Sequence, residues 1–190
     1  MSLFNKNYSK LSDEELMSLL AKGGQPAFDE LYKRYAKPML NFFFRLLNND
    51  RERAEDMLQD LFMKIIEHPE SFDRTRTFKT WFYTLAGNMV KNEYRSRNIR
   101  NEHAQLQILD SITYNTETHD KSLFQQKLNA ELSNLDADSR LLFELRFTEE
   151  MSVRQIAEIM DCAEGTVKSR LFYLTKLLAK KLKIYKPELN

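Results

Sequence analysis

Apolar residues recur every three or four positions along most of the chain, and polar residues fill the positions between them. This spacing predicts amphipathic helices, because residues three and four positions apart lie on one face of an α-helix. The chain contains only four glycines and four prolines, too few for the many tight turns of a sandwich or a barrel. The sequence therefore predicts an all-α protein.

Capping and turn residues predict the limits of several helices. Ser12 followed by Glu15 has the pattern of a capping box and predicts the start of the first helix. A later helix covers about residues 51–67. The segment 68–77 (HPESFDRTRT) has the composition of a loop, and a further helix begins at Phe78.

Helical periodicity weakens near the middle of the chain. Residues 99–122 are polar and weakly periodic, and we expect them to form a flexible linker. The expected organisation is therefore two helical domains, residues 1–98 and residues 123–190, joined by this linker.

The net charge of +1 is uninformative, but the charges are unevenly distributed. Residues 74–100 contain seven Lys or Arg and one acid, and residues 165–187 contain seven Lys or Arg and no acid. Between them, residues 101–150 contain ten acids and four bases. Two basic segments separated by an acidic one indicate two contact points on a polyanion.

Several classes of protein are disfavoured. The N-terminal residues lack the pattern of a signal peptide, and no apolar stretch is long enough to span a bilayer, so we expect a soluble cytoplasmic protein without membrane insertion of its own. The single cysteine, Cys162, fits a reducing compartment. No metal-ligand spacing, nucleophile–histidine pattern or glycine-rich phosphate loop is present. We therefore expect no metal, no cofactor and no enzymatic activity.

The segment 152–178 predicts a helix, a three-residue turn and a second helix, with Asp161 able to adopt the left-handed turn conformation. The predicted inward residues are Ile156, Ala157 and Met160 from the first helix and Val167 and Leu171 from the second. The second helix exposes residues that can reach base edges and phosphates in a major groove, namely Glu164, Thr166, Lys168, Ser169, Phe172, Tyr173 and Lys176. The alternative is a plain helical hairpin with a solvated basic face.

The segment 78–97 (FKTWFYTLAGNMVKNEYRSR) combines aromatic residues, amides and cations with almost no acid. Its predicted core stripe consists of Phe78, Phe82, Leu85 and Met89. Thr84, Asn88, Lys91 and Arg95 form a neighbouring polar stripe, with Trp81 and Asn92 at its border. Amides and cations on one face, with an aromatic that can stack, suit partly single-stranded DNA. The alternatives are that Trp81 is a core residue and that the amides are ordinary surface residues.

The helix 51–67 carries an apolar stripe formed by Met57, Leu58, Leu61, Phe62, Ile65 and Ile66. On the opposite side, Asp56, Gln59, Asp60 and Met63 follow the spacing i, i+3, i+4, i+7 and share a face. Such a face binds a basic partner, binds a metal or is simply solvated.

These three segments, in their order along the chain, resemble the RNA polymerase sigma factors of the extracytoplasmic-function (ECF) group in the sigma-70 family. AFDELYKRYAKPMLNFFFRLL, AEDMLQDLFMKII and FKTWFYTLAGNMVKNEYRSR are similar to parts of the family's domain two. The segment from LSNLDADSRLLF to LTKLLAKKL is similar to its domain four. The resemblance implies an alternative sigma factor that binds core RNA polymerase through its largest and second-largest subunits and directs it to promoter DNA.

The resemblance also implies roles for the candidate residues. The polymerase-binding residues are expected to be Asp56, Gln59, Asp60 and Met63. Capture of an unstacked minus-ten base is expected to involve Arg74, Arg76, Trp81, Thr84, Asn88, Lys91, Asn92 and Arg95. The helix that begins near Glu164 is expected to recognise the minus-thirty-five element. The residues involved are Arg170 and the exposed residues given above for the second helix of segment 152–178.

Some positions depart from the family pattern. Asp161 stands where glycine is common, and Tyr173 stands where arginine often contacts the promoter. The family also implies an anti-sigma partner. Two alternative functions are an autonomous helix-turn-helix regulator, which leaves the acidic face unused, and a helical enzyme or metal protein.

Overall fold

The computed structural model describes residues 7–103 and 121–182, and the regular secondary structure within these ranges is entirely helical. The all-α prediction is therefore confirmed for the described residues. The α-helices, in chain order, are α1 (Asp13–Leu20), α2 (Gln25–Leu46), α3 (Arg51–Glu67), α4 (Phe78–His103), α5 (Lys121–Ser133), α6 (Ala137–Phe143), α7 (Val153–Met160) and α8 (Glu164–Leu182). Single turns of 3₁₀ helix lie at Tyr8–Lys10 and Pro69–Ser71, and a π-helical turn, Glu144–Thr148, follows α6.

The contacts between Cα atoms divide the chain into two compact units. The first unit runs through Val90 and includes Glu158–Met160, and the second comprises Lys91–Ala157 and continues from Asp161. Helix α4 begins in the first unit and ends in the second. The predicted domain limits remain predictions, because residues 104–120, most of the predicted linker, lie outside the described residues.

Serine and glycine residues set the limits of α1. The Ser12 hydroxyl accepts the N–H of Glu15 at 3.2 Å, and the Glu15 carboxylate accepts the N–H of Ser12 at 2.8 Å, so the predicted capping box is present. The turn into α2 uses Gly23 at φ +81°, in the left-handed region that favours glycine. A Cβ on Gly24 would lie 2.9 Å from the backbone oxygen of Leu19, so this turn has no room for a side chain.

Aromatic side chains join α2, α3 and α4 in the first unit. The ring of Phe82 is fully buried, and its centroid lies 5.2 Å from Tyr35 in α2 and 5.7 Å from Phe62 in α3. It stacks at 5.2 Å on Phe78, one turn earlier in α4. Aromatic pairs of this kind contribute about 0.5–1.5 kcal/mol beyond the burial of their area. These rings therefore determine how the three helices pack.

Helix α4 buries a wider arc than the predicted stripe. Phe78 and Phe82 are fully buried, as predicted, but Leu85 and Met89 are only partly buried. The residues buried in their place are Trp81, Tyr83, Ala86 and Val90. The ring of Phe82 contacts Phe62 of α3, and the ring centroid of Tyr83 lies 5.1 Å from that of Phe42 in α2. Neighbouring helices therefore pack against two sides of α4. A single stripe cannot describe a helix that is covered on two sides.

The apolar stripe of α3 is narrower than predicted. Leu61 and Ile65 are fully buried, whereas Ile66 is 41% exposed. Successive residues of an α-helix are separated by about 100° of rotation, which places Ile66 at the edge of the stripe. Its side chain therefore remains on the surface.

The helix-turn-helix predicted for residues 152–178 is present, formed by α7, a short turn and α8. Asp161 ends α7 at φ +50° and ψ +56°, the left-handed conformation expected for the turn. Helix α8 is a single helix of 19 residues. Val167 is fully buried, but Leu171 is only partly buried because Leu174 and Leu178 align more closely with Val167 around the helix.

Candidate functional site

An acidic face lies along α3, on the side away from its apolar stripe. This α3 face consists of Asp56, Gln59, Asp60 and Met63, and all four side chains are exposed, as the spacing predicted. Within the described part of the chain, no hydrogen bond or ion pair engages Asp56 or Asp60. Both carboxylates are therefore available to cations of a binding partner.

Exposed apolar side chains border the acidic residues. Met63 is 49% exposed and Ile66 is 41% exposed. Tyr32 of α2 is also exposed, with its ring centroid 4.8 Å from that of Phe62. Sequence reasoning missed Tyr32 and Ile66, because both positions fit the spacing of buried residues. The combination of charge and apolar area is typical of a protein-binding surface.

Throughout residues 7–103 and 121–182, no group of three or more His, Cys, Asp or Glu side chains is arranged to hold a metal ion. The carboxylates of the α3 face are better suited to a basic protein partner than to a metal ion.

The loop between α3 and α4, residues 72–77, is attached to the core by Phe72. This ring is buried and lies 5.2 Å from Trp81 and 6.0 Å from Phe78, both in α4. The base of the loop is therefore held by the same aromatic cluster that packs α4.

Asp73 organises the tip of this loop. Its carboxylate accepts the N–H of Thr75 at 2.9 Å and the hydroxyl of Thr75 at 2.6 Å, and its other oxygen pairs with Arg76 at 3.4 Å. The hydrogen bonds from Thr75 hold the pKa of Asp73 below its ordinary value. Arg74 is exposed beside this turn. A preformed loop presents its cations at lower entropic cost than a flexible one.

Amide and cationic side chains follow one another along the exposed side of α4. Asn88, Asn92 and Arg95 are exposed at the spacing i, i+4, i+7, and we call them the α4 polar face. Amides can hydrogen-bond the edge of an unstacked base, and Arg95 can neutralise a phosphate. The structure brings these three predicted residues onto one face.

Two other predicted residues of α4 already have partners. The hydroxyl of Thr84 donates to the backbone oxygen of Thr80 at 2.8 Å. Nζ of Lys91 lies 3.1 Å from the carboxylate of Asp138, and both of these residues belong to the second unit. Lys91 must exchange this partner before it can bind a phosphate.

Trp81 does not lie at the border of the polar stripe, where the sequence placed it. Only 6% of its surface is exposed, and its ring packs against Phe72 and Phe78 at 5.2 and 5.8 Å. Trp81 is therefore a core residue, which was the alternative interpretation of its position. It supports the 72–77 loop from beneath rather than presenting a ring for stacking.

Helix α8 presents a mixed basic and aromatic surface. Thr166 is partly buried, and the exposed candidates, which we call the α8 face, are Glu164, Lys168, Ser169, Arg170, Phe172, Tyr173 and Lys176. Phe172 and Tyr173 are 61% and 67% exposed, with ring centroids 5.5 Å apart. Nζ of Lys176 lies 6.0 Å from the Phe172 ring. Large aromatic residues with this exposure contribute little to the fold, so the α8 face is suited to binding.

Two family models match the chain. Sigma-70 region 2 matches residues 31–99, which contain the α3 face, the 72–77 loop and the α4 polar face. Sigma-70 region 4 matches residues 125–172, which contain the helix-turn-helix. No helix in the described ranges is long and apolar enough to cross a membrane.

Curated proteins and solved structures resemble the chain over most of its length. The ECF RNA polymerase sigma-E factor of Haemophilus influenzae is 30% identical over 184 residues, covering 91% of this chain and 96% of the relative. The ECF RNA polymerase sigma factor SigL of Mycobacterium tuberculosis is 31% identical, covering 78% of this chain and 84% of the relative.

Among solved structures, the sigma factor RpoE in complex with the anti-sigma factor NepR from Bartonella quintana has a TM-score of 0.68 and 26% identity. The match covers 84% of this chain and 98% of that chain. CnrH, solved with the cytosolic domain of CnrY, also has a TM-score of 0.68, at 21% identity, and covers 92% of this chain and 99% of that chain. The latter likeness supports the fold alone.

The burial of Trp81 predicts a structural role that a surface residue would not have. Replacing a buried tryptophan by alanine costs about 3–5 kcal/mol, so Trp81→Ala should lower the free energy of unfolding by that amount. Asn88→Ala, at an exposed position, should change it by no more than about 0.5 kcal/mol. Urea denaturation followed by circular dichroism measures both. Equal midpoints for Trp81→Ala and the wild type would show that Trp81 is not a core residue.

Proposed function

The chain belongs to the ECF group of RNA polymerase sigma factors, and from this premise we propose how its surfaces perform transcription initiation. The protein binds core RNA polymerase, directs it to specific promoters and helps to open the minus-ten region. It makes and breaks no covalent bonds itself, and it acts in the cytoplasm, where the polymerase is.

The proposal rests on three exposed faces that differ in chemical character. A single chain presents an acidic face on α3, an amide-rich face on α4 and a basic aromatic face on α8, and the exposed members of these faces contribute little to the hydrophobic core. An autonomous helix-turn-helix regulator would use the α8 face but has no use for the other two. A sigma factor uses all three.

The α3 face binds the largest subunit of core RNA polymerase. Asp56 and Asp60 supply negative charge without internal partners, and Met63 supplies exposed apolar area. Charge complementarity directs docking and fixes its register, while the apolar side chain adds area removed from water. Tyr32 and Ile66 extend this contact at its border.

The 72–77 loop and the α4 polar face read the minus-ten element. Opening a duplex exposes an unstacked base, whose edge can hydrogen-bond the amides of Asn88 and Asn92. Arg74 and Arg95 bind the adjacent phosphates. The rigid attachment of the loop through Phe72 keeps these contacts in place before the DNA arrives.

The α8 face reads the minus-thirty-five element in the major groove. Lys168, Arg170 and Lys176 supply phosphate contacts, and Ser169 can hydrogen-bond a base edge. The exposed rings of Phe172 and Tyr173 can contact thymine methyl groups. The aromatic pair is the feature of this helix that most directly distinguishes one promoter sequence from another.

An anti-sigma factor regulates the protein. The related sigma factor RpoE was solved in complex with the anti-sigma factor NepR. A partner of this kind would compete with the polymerase or with the promoter for the surfaces described above.

Transcription from a pool of genomic promoter fragments tests the function. The purified protein and bacterial core RNA polymerase should together start transcription at sites that share two spaced sequence motifs. Tight, sequence-specific binding of the protein alone to duplex DNA, with no binding to active core RNA polymerase, would instead establish the autonomous regulator. The salt dependence of each binding reaction should be recorded, because phosphate contacts dominate affinity.

Charge reversal on the α3 face should weaken docking. In Asp60→Lys a repulsive cation replaces an attractive carboxylate, so the affinity for core RNA polymerase should fall at least about tenfold, or ~1.4 kcal/mol. Asp29→Lys makes the same change at an exposed position of α2 and is the matched control. Fluorescence titration with labelled core RNA polymerase measures both, and equal affinities of the two variants would remove the assigned docking face.

Loss of one amide from the α4 polar face should affect opening more than retention. Asn88→Ala should reduce promoter opening by about tenfold, since a specific base contact contributes about 1–3 kcal/mol. Retention of duplex promoter DNA by the same holoenzyme should fall by less than about twofold. Permanganate reactivity of unpaired thymines measures opening, and a filter assay measures retention. Asn134→Ala, an exposed amide of the second unit, is the control, and equal losses in both assays would make Asn88 a general contact.

A further inference from the structure

Helix α1 precedes the residues matched by the region 2 model, yet it is firmly attached to α2. Arg34 makes the attachment by donating to the Leu11 backbone oxygen at 3.0 Å, to the Asp13 carboxylate at 2.7 Å and to the Ser9 backbone oxygen at 3.0 Å. The hydroxyl of Tyr35 donates to the second oxygen of Asp13. The start of α1 is therefore held in one position relative to α2.

The next residue, Glu14, connects α1 to α4. Its carboxylate accepts the backbone N–H of Phe78 at 2.8 Å, across 64 residues of sequence. Phe78 is the first residue of α4, and the first N–H groups of a helix have no partner within the helix. The Thr77 hydroxyl accepts the N–H of Thr80 at 3.3 Å, so two side chains satisfy this first turn. The bond from Phe78 holds the pKa of Glu14 below its ordinary value, which indicates an ionised carboxylate at the positive end of the helix.

The backbone nitrogen of Phe78, which Glu14 binds, lies at the junction between the 72–77 loop and α4. The ring of Phe78 packs against Phe72 on one side and Tyr35 on the other, at 6.0 and 5.1 Å. Ring packing restricts the position of Phe78 but tolerates small rotations. A hydrogen bond to the backbone N–H is directional, and it fixes the orientation of the first turn.

We propose that Glu14 is a positioning residue for promoter opening: its bond to the first turn of α4 holds the 72–77 loop in the conformation that receives the unstacked minus-ten base. This inference rests on the proposed function of that loop. It gives α1 a part in reading the minus-ten element through its bond to α4.

The test uses three variants of the full chain. Glu14→Ala removes the acceptor, and Glu14→Gln keeps an oxygen that accepts a weaker, uncharged bond. Glu15→Ala is the control, because it removes the same charge from the same helix and breaks the capping box of α1 without touching α4. Far-ultraviolet circular dichroism checks that each variant is folded at the assay temperature.

Two measurements are made on each variant. Hydrogen exchange of the isolated protein reports the mobility of residues 72–80. Holoenzyme assays report the affinity for core RNA polymerase and the opening of a promoter that carries 2-aminopurine in the minus-ten element. Glu14→Ala should speed exchange in residues 72–80 and reduce opening by about three- to tenfold, the range expected for loss of a helix-capping interaction. Its affinity for core RNA polymerase should stay within about twofold, and Glu14→Gln should fall between Glu14→Ala and the wild type.

The outcomes separate this inference from the proposed function. Unchanged exchange in residues 72–80 of Glu14→Ala, or an equal loss of opening in Glu15→Ala, overturns the positioning role. A wild-type protein that opens no promoter with active core RNA polymerase overturns the proposed function and the positioning role with it. Faster exchange in Glu14→Ala would in that case still establish the link between α1 and α4.

Discussion

Three helices of the first unit meet at the buried ring of Phe82. Its contacts with Tyr35 and Phe62 set the distances of α2 and α3 from α4, and its stacking on Phe78 places the first turn of α4. The protein interior is close-packed, so a shift of one ring must be transmitted to its neighbours. The position of the 72–77 loop and the direction of the α3 face both depend on this cluster.

The same packing explains why the binding surfaces are composed as they are. The aromatic side chains are used to join the helices, which leaves carboxylates, amides and cations on the outer faces of α3 and α4. The specificity of a sigma factor is a sum of surface contacts made to the polymerase and to DNA. The rigid core lets those contacts be made by short side chains whose positions are already determined.

Residues with a strong periodic or capping signal could be predicted from the sequence. The α3 face, the capping box at Ser12 and the left-handed turn at Asp161 each depend on a few neighbouring residues, and each is present. Asn88, Asn92 and Arg95 share an exposed face because helical spacing alone determines it.

The remaining features depend on tertiary packing, which local periodicity does not contain. Trp81 is buried because Phe72 folds back onto it from the loop, and Tyr83 is buried because Phe42 of α2 covers a second side of α4. The bond from Phe78 to Glu14 joins residues that are 64 positions apart, and neither residue carries a local signal for it. Long-range contacts of this kind become visible only in the folded chain.

Docking of the α3 face on the polymerase can be tested by hydrogen exchange of the full chain with and without core RNA polymerase. If the α3 face is the docking surface, the amides of α3 should exchange more slowly in the complex, with the largest change around Gln59. Formation of a complex that leaves the exchange of α3 unchanged, and protects other residues instead, would contradict it.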